Sequence, residues 1–245
     1  MKLQQLDKEL KTLFEAEKFS YDPSLNGIQL GDTKANITKV AFALDVSAAA
    51  INLAVKQQAN LLFVHHGLFW GEPSKAISGS YYNNIKKLIE NNIALYAMHL
   101  PLDAHPIFGN NMTVANRAGL SDIEVIDGIG FGGKLEKPAN VLELAAKVYG
   151  SEGVTIWPFK EEVTKIAVIV GGATTIFQKV YGLGYEAIIT GEVKHSLYHF
   201  CAENNFSVMA GGHYQSEMPG LIAFKNYFTN HFNLETTLID LPTGC

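Results

Sequence analysis

From residue 38 the chain runs TKVAFALD, then the Ala-rich SAAAINLAVKQQA, then NLLFVHHG; from residue 164 the same order returns as TKIAVIVG, ATTIFQKVYGLG and YEAIITGE. The copies align without a gap at an offset of 126 residues. Lys39-Val40 falls on Lys165-Ile166, Leu61-Leu62-Phe63 on Ala187-Ile188-Ile189, and His65-His66 on Gly191-Glu192. A gapless match over about thirty positions reads as duplication of a structural unit. In each copy an apolar run of strand length is followed by a helical stretch and a second apolar run. The first copy continues with the helical SYYNNIKKLIENN (80–92) and a third strand, IALYAMH (93–99). The second continues with the helical HSLYHFCAEN (195–204) and a third strand, FSVMAG (206–211). Two βαβαβ halves with short connections predict an α/β fold in which each half builds a mostly parallel sheet flanked by helices.

Between the copies lies GIGFGGKLEKPANVLELAAKVYG (128–150), Gly-rich at its start and helical after Pro138. This places the boundary there, with residues 1–127 as the first lobe and 128–245 as the second. Near the C-terminus PGLIAFKNYFTNHF reads as a helix, and LETTLID (234–240) alternates well enough for an edge strand. The segment from about 230 to 245 is expected to pack back on the first lobe.

With 245 residues, either lobe is large enough to bury a core. A net charge of −5 favours neither nucleic acid nor an anionic membrane as partner. Cys201 and Cys245 form no CxxC and no disulfide framework, which points to a reducing cytoplasm. The N-terminal MKLQQLDKELKTLFEAEKF is amphipathic, with no apolar run or cleavage site, so it is expected to be a helix and not a signal peptide. No stretch is long and apolar enough to cross a membrane.

Ligands of open parallel sheets gather at the carboxyl ends of the strands. There the chain places His65 and His66, then His99 and Asp103, then Glu192, then His213 and Glu217. If the halves face one another, these ends converge on one cleft. Imidazole with carboxylate is the ligand set of Zn, Fe, Mn or Ni, whereas Ca and Mg prefer oxygen alone. Two prolines hold Asp103 in the extended loop HLPLDAHP. In GGHYQSE, His213 and Glu217 stand at i and i+4 and share a face if a helix begins there. Five ligands are too many for one four-coordinate zinc with an open position. His65, His66, Asp103, His213 and Glu217 suit two divalent ions with a shared carboxylate and water, which is hydrolase chemistry.

A single strand-end histidine is ordinarily just a satisfied polar residue; three clusters at equivalent strand ends are not so easily dismissed. His99 and His199 are candidates for orienting ligands. Glu192 reads equally as a base or substrate contact and as a solvated strand end. His105 and His231 are expected to face solvent. Asn26 and Gln29 are substrate-contact candidates, although Asn-Gly is first a turn former. No Walker loop, GxSxG elbow, GxGxxG or CxxC metal motif is present.

These residues carry a resemblance. SLNGIQLG, FVHHGLFW, HLPLDAHPIFGNN, TGEVKH and GGHYQSE occur in the order, and over nearly the whole length, expected of the GTP cyclohydrolase 1 type 2 homologue family, also called Nif-three-like. The chain resembles the short form, without the domain that longer members insert between the halves. The resemblance puts His65 and His66 on the family's histidine pair, Asp103 on its aspartate, and His213 and Glu217 on its C-terminal metal motif. It implies two interlocked α/β lobes, a dinuclear metal site between them and a toroidal homohexamer with sites facing the central cavity. Tyr214 stands where some relatives place a second histidine.

Three functions are compatible with this pattern. The first is a metal-dependent hydrolase acting on a small molecule, with GTP or another nucleotide as a candidate substrate. The second is a metal chaperone or cofactor-assembly protein without turnover. The third is a ring-shaped binding scaffold. Fold-level likeness alone does not choose a substrate among them.

Overall fold

The computed structural model describes residues 1–71, 76–150 and 153–245. The chain begins with α1 (Leu3–Leu13), β1 (Gly27–Leu30), β2 (Lys39–Asp45), α2 (Ala48–Lys56), β3 (Leu61–His66), α3 (Gly79–Glu90) and β4 (Ala94–Ala97). A short helix α4 (Leu100–Ala104) leads to α5 (Asn110–Ala118), β5 (Ser121–Ile126), β6 (Gly130–Asn140), α6 (Val141–Tyr149) and β7 (Thr155–Trp157). Then follow β8 (Glu162–Gly172), α7 (Phe177–Gly182), β9 (Ala187–Glu192), α8 (Tyr198–Glu203), β10 (Ser207–Ala210), α9 (His213–His231) and β11 (Glu235–Leu238).

By their contacts these elements fall into two compact units: Met1–Leu102 with Leu221–Leu241, and Asp103–Gly220 with Pro242–Cys245. Among the described residues each unit holds one sheet. The order is β1-β4-β3-β2-β11 in the first and β5-β6-β8-β9-β10-β7 in the second. In the first sheet β2, β3, β4 and β11 run parallel and β1 is antiparallel at the edge. In the second, β8, β9 and β10 are parallel, with β7 antiparallel beside β10 and the β5-β6 hairpin antiparallel beside β8.

The duplication is visible in the register. Val40 pairs with Leu61 and Phe42 with Phe63; Ile166 pairs with Ala187 and Val168 with Ile189. Both pairings shift by the same 126 residues that align the sequences. Register fixes which side chains share a face, so a repeat kept in register keeps the buried pattern as well.

Each sheet is buried on both sides, as a parallel sheet must be. In the first unit Ala41, Ala43, Leu62, Val64 and Leu95 meet Ala50, Ile51 and Ala54 of α2 and Leu88 of α3. The alternate residues Phe42 and Phe63 meet Phe224 of α9 at ring-centroid distances of 5.8 and 5.0 Å, and Phe14 lies 4.8 Å from the same ring. In the second unit Ile166, Val168, Val170 and Ile189 pack against α5 and α6, and Ala167, Ile169, Ile188 and Val208 against Phe177, Val180 and Cys201.

Local signals set the helix starts. The Ser47 hydroxyl accepts the Ala50 N–H and starts α2. The Asn140 side chain accepts from the Leu142 N–H at 2.9 Å and starts α6, whereas Pro138 lies within β6. The cap therefore begins α6 slightly later than the proline predicts. The C-terminal helix differs more. It starts at His213 and runs unbroken past Pro219. Pro219 is the seventh residue of the helix, so α9 forgoes the bond that this N–H would have given to the Gln215 carbonyl.

β11 pairs in parallel with β2, so the C-terminal strand belongs to the first unit. No helix among the described residues is long and apolar enough to cross a membrane.

Candidate metal centre

In the first unit, β3 ends in His65-His66 and β4 runs out into His99. The three imidazoles offer ligand atoms within 4.8 Å of one another, a group that can hold a metal ion. Every ring is held through its Nδ1. His65 Nδ1 is 3.0 Å from the Met98 carbonyl, His66 Nδ1 is 2.8 Å from Asp45, and His99 Nδ1 is 2.9 Å from Asp22. An Nδ1–H given to an oxygen acceptor leaves Nε2 as the basic nitrogen, the arrangement that metal-ligating histidines use.

Asp22 anchors this region. Its side chain is fully buried and accepts from His99 Nδ1, the Asn26 amide, the Leu100 N–H and the Ser24 N–H. Burial alone would raise its pKa, but the bonds to His99, Asn26 and Ser24, together with the attraction of His99, hold it below the usual carboxylate value. Asn26 also accepts the His99 N–H at 2.7 Å. Gln29 accepts the Leu68 N–H at 2.7 Å and donates to the Leu25 carbonyl, pinning the turn after the histidine pair. Asn26 and Gln29 thus brace the backbone around the imidazoles, and their amide groups are engaged in that bracing.

In the second unit, β10 runs through Gly211-Gly212 into α9, whose first turns carry His213 and Glu217 on one face. His213 Nε2 lies 3.1 Å from Glu217, and its Nδ1 lies 2.6 Å from Glu192 at the end of β9. The bond to Glu217 raises the His213 pKa most. Burial opposes it, and the Glu217 charge and Glu192 add to it, so the value rises to about 9. An imidazolium held between two carboxylates marks a place where positive charge is favoured, as a metal ligand set requires.

Gly171, near the end of β8, has φ +61°, and a Cβ there would lie 2.5 Å from the Glu217 carboxylate and 3.3 Å from His213 Nε2. Only glycine leaves room for that pair. The buried Ser216 hydroxyl donates to the His213 carbonyl and accepts the Gly171 N–H, fastening the start of α9 to β8.

Asp103 is buried in the same unit and accepts from the Asn110 amide at 2.8 Å. The Asn111 amide donates to the Asp103 and Ile129 carbonyls and accepts the Val170 N–H. The chain therefore fixes Asp103 by side chain and by backbone, within the short helix α4 and not in the extended loop that the flanking prolines suggest.

The remaining histidines divide. His199 is exposed on α8 with its ring edge-on to Tyr198, outside the histidine group of the first unit. His231 is exposed and stacked on Tyr227. His105, expected at the surface, is instead buried and stacked 3.6 Å from Phe108, its Nδ1 accepting the Ile107 N–H. A turn that folds the ring onto its own backbone hides it from water.

Sequence reasoning did not single out Asp22, Asp45, Asn110 or Asn111. The available signals were an acid closing an apolar strand in TKVAFALD and an Asn doublet after glycine in PIFGNN.

A family model described as Duf34/NIF3 (NGG1p interacting factor 3) matches residues 1–243. The chain is 34% identical to the GTP cyclohydrolase 1 type 2 homolog of Treponema pallidum, covering 100% of both. It is 36% identical to that of Halobacterium salinarum, over 91% of this chain and 92% of the relative. Among solved structures, the protein ybgI, described as of unknown function, superposes with a TM-score of 0.93 at 31% identity over 100% of both chains. Reduced HcgD from Methanocaldococcus jannaschii superposes with a TM-score of 0.86 at 26% identity over 98% of each.

Proposed function

The chain belongs to the Duf34/NIF3 family, and from that premise we propose that it is a metal-dependent hydrolase of a small molecule. His65, His66, Asp103, His213 and Glu217 together hold two divalent ions of the Zn, Fe, Mn or Ni class. The observation that carries the reading is the anchoring of His65, His66 and His213 through Nδ1. That orientation presents Nε2 as the donor, and Asp103 and Glu217 supply the carboxylates. When bound, a pair of such ions acidifies a water and stabilises charge on the attacked and leaving oxygens.

The chain's own residues have definable tasks in this reading. Asp45 and Glu192 hold ring tautomers, Asn110 and Asn111 hold Asp103, and Gly171 leaves space for Glu217. GTP or another nucleotide is the first substrate class to test, because curated relatives carry the name GTP cyclohydrolase 1 type 2 homolog. A cytoplasmic location and a homohexamer with the metal sites facing its cavity belong to the same proposal. Light scattering on the purified chain tests the hexamer.

Elemental analysis of untagged wild type, His65→Ala and Glu217→Ala is the decisive experiment. About two ions per chain in wild type and a clear fall in both variants support the centre. No metal, or metal indifferent to both substitutions, overturns it. Turnover of a nucleotide and phosphoester panel by the loaded protein then tests hydrolysis.

One observation favours a second reading, a metal carrier or cofactor-assembly protein. Glu192, the acid outside the ligand set, is engaged with His213 and so is not a free base. Readily exchangeable metal without turnover would support the carrier; tight metal with turnover would exclude it.

A further inference from the structure

We propose that the second unit carries a binding site for a nucleobase with a ring carbonyl, at the edge where its parallel strands begin. Lys160 donates to that carbonyl, and Phe159 and Tyr181 flank the ring. The site is independent of the metal-binding reading. It lies at the other end of the strands from His213 and Glu217, and β9 alone spans about 17 Å between the two ends at about 3.3 Å per residue.

A cavity of about 720 Å³ opens in front of β8, β9 and β10, among Phe159, Lys160, Tyr181, Gly182 and Asn205. That volume is typical of small-molecule sites. Its lysine is held at three points. The buried Ser207 hydroxyl accepts the Lys160 N–H at 2.9 Å and donates to the Lys160 carbonyl at 3.0 Å. The ammonium is bonded to Glu186, whose carboxylate also accepts the Thr164 and Lys165 N–H groups. Burial alone would raise the Glu186 pKa, but these bonds and the Lys160 charge hold it below the usual carboxylate value, so the pair stays ionised. An ordinary surface ion pair leaves both side chains free to move. Here the backbone of the lysine and both oxygens of its partner are engaged, which holds an ammonium with two remaining N–H donors beside the cavity. The pair adds no net charge, so the site favours a neutral ligand that brings an acceptor. Glu161 also borders the cavity but is exposed to water, where its charge is screened.

The walls are aromatic and preset. The Tyr181 ring packs edge-on against Phe200 and Phe206 at 5.7 and 6.0 Å, yet 38% of the residue is exposed. Phe159 is half-buried and packs edge-on with Tyr198 at 5.2 Å. A flat heterocycle gains from such faces by stacking. Among the described residues the Asn205 carboxamide has no hydrogen-bond partner, which leaves an in-plane donor and acceptor for the edge of a base. Gly182 keeps the volume open. It ends α7 without a left-handed φ, and a Cβ there would meet nothing within 4 Å. Neither backbone nor packing asks for glycine, which weakens a helix relative to alanine, and its missing side chain leaves the cavity clear.

The test is saturation-transfer NMR and calorimetry with uridine and inosine on the full chain as purified. Dissociation constants of about 1 mM or below are expected, with base protons more strongly saturated than ribose protons. Gly182→Leu, which fills the cavity without straining the backbone, is expected to abolish binding. Tyr181→Ala and Lys160→Met should each weaken it by about 10-fold or more. His65→Ala and Glu217→Ala should leave it unchanged. Thermal unfolding identifies the folded variants. Ribose bound as tightly as the nucleosides, or saturated more strongly than the base, overturns the base assignment. Binding lost in His65→Ala or kept in Gly182→Leu overturns the location, and no saturable binding below about 10 mM overturns the site.

Discussion

In the first unit β3 ends on His65-His66; in the second, β9 ends at the equivalent sequence position on Gly191-Glu192, where the pairing with β8 has slipped by one residue. Asp45 pairs with His66 across the first sheet and accepts its Nδ1, while Gly172 pairs with Glu192 across the second. Position 45 plus the repeat offset is Gly171, where the missing side chain makes room for Glu217 and His213. The same scaffold position thus holds a carboxylate in one unit and empty volume in the other. The paired strands kept their register while their ends diverged, because register is tied to the buried faces and strand ends are not. The first unit presents imidazoles, and the second presents one imidazole among carboxylates.

The difference extends to the cores, and the largest expected effect tests it there. Phe224 fills the aromatic face of the first unit, against Phe14, Phe42 and Phe63. Phe224→Ala should cost about 3–5 kcal/mol in urea unfolding. A loss below about 1 kcal/mol would mean that this face collapses onto the cavity, and that its rings are not the main support of the unit.

At the diverged position the two units should respond unequally. Gly171→Ala forces a side chain into φ +61° and against Glu217, costing about 1–3 kcal/mol. It should also weaken metal binding more than Asp45→Ala, which only removes an acceptor from His66 and is expected to cost about 10–100-fold in affinity. Equal affinities for the two variants by calorimetry would break the proposed contrast.

Asn111 braces the second unit alone by linking the Asp103 and Ile129 carbonyls to the Val170 N–H. Asn111→Ala should lower stability by about 1–3 kcal/mol, since it strips partners from buried backbone groups. A neutral effect on thermal unfolding would show that Asp103 is held well enough by Asn110.

The smallest effect is a pH dependence. The His213 pKa is raised from 6.5 to about 9, so without metal its stabilising contribution is full below 6.5 and is lost as pH rises through about 9. Metal affinity should run the opposite way and rise across that window, because the ligating nitrogen must lose its proton. Glu192→Gln lowers the upper end of the window. An unchanged His213 NMR titration in that variant would remove Glu192 from the role of anchor.

Much of this protein was legible in its sequence, and the reason is periodicity. The parallel strands and their helices are long, apolar and repeated, so TKVAFALD and TKIAVIVG could be placed without coordinates. The candidate site was legible because histidines and acids stand where strands stop. Less legible were the groups acting through others. Asp22 sits in a turn-rich segment whose Pro23, Asn26 and Gly27 already explain themselves as turn formers, yet it bonds His99 from far away in the chain. His105 is polar and flanked by proline, features of a surface residue, but a local fold stacks it on Phe108.

By itself, then, the sequence determined the two-sheet α/β class, the repeat and its register, and the residue types offered at the strand ends. These depend on near-neighbour patterning, which the chain carries in one dimension. Tertiary structure decided which strand β11 pairs with and in what register, and which oxygen holds each imidazole. Those are pairings between residues distant along the chain, and no local propensity encodes them. They form only when burial of the sheet faces brings the segments together.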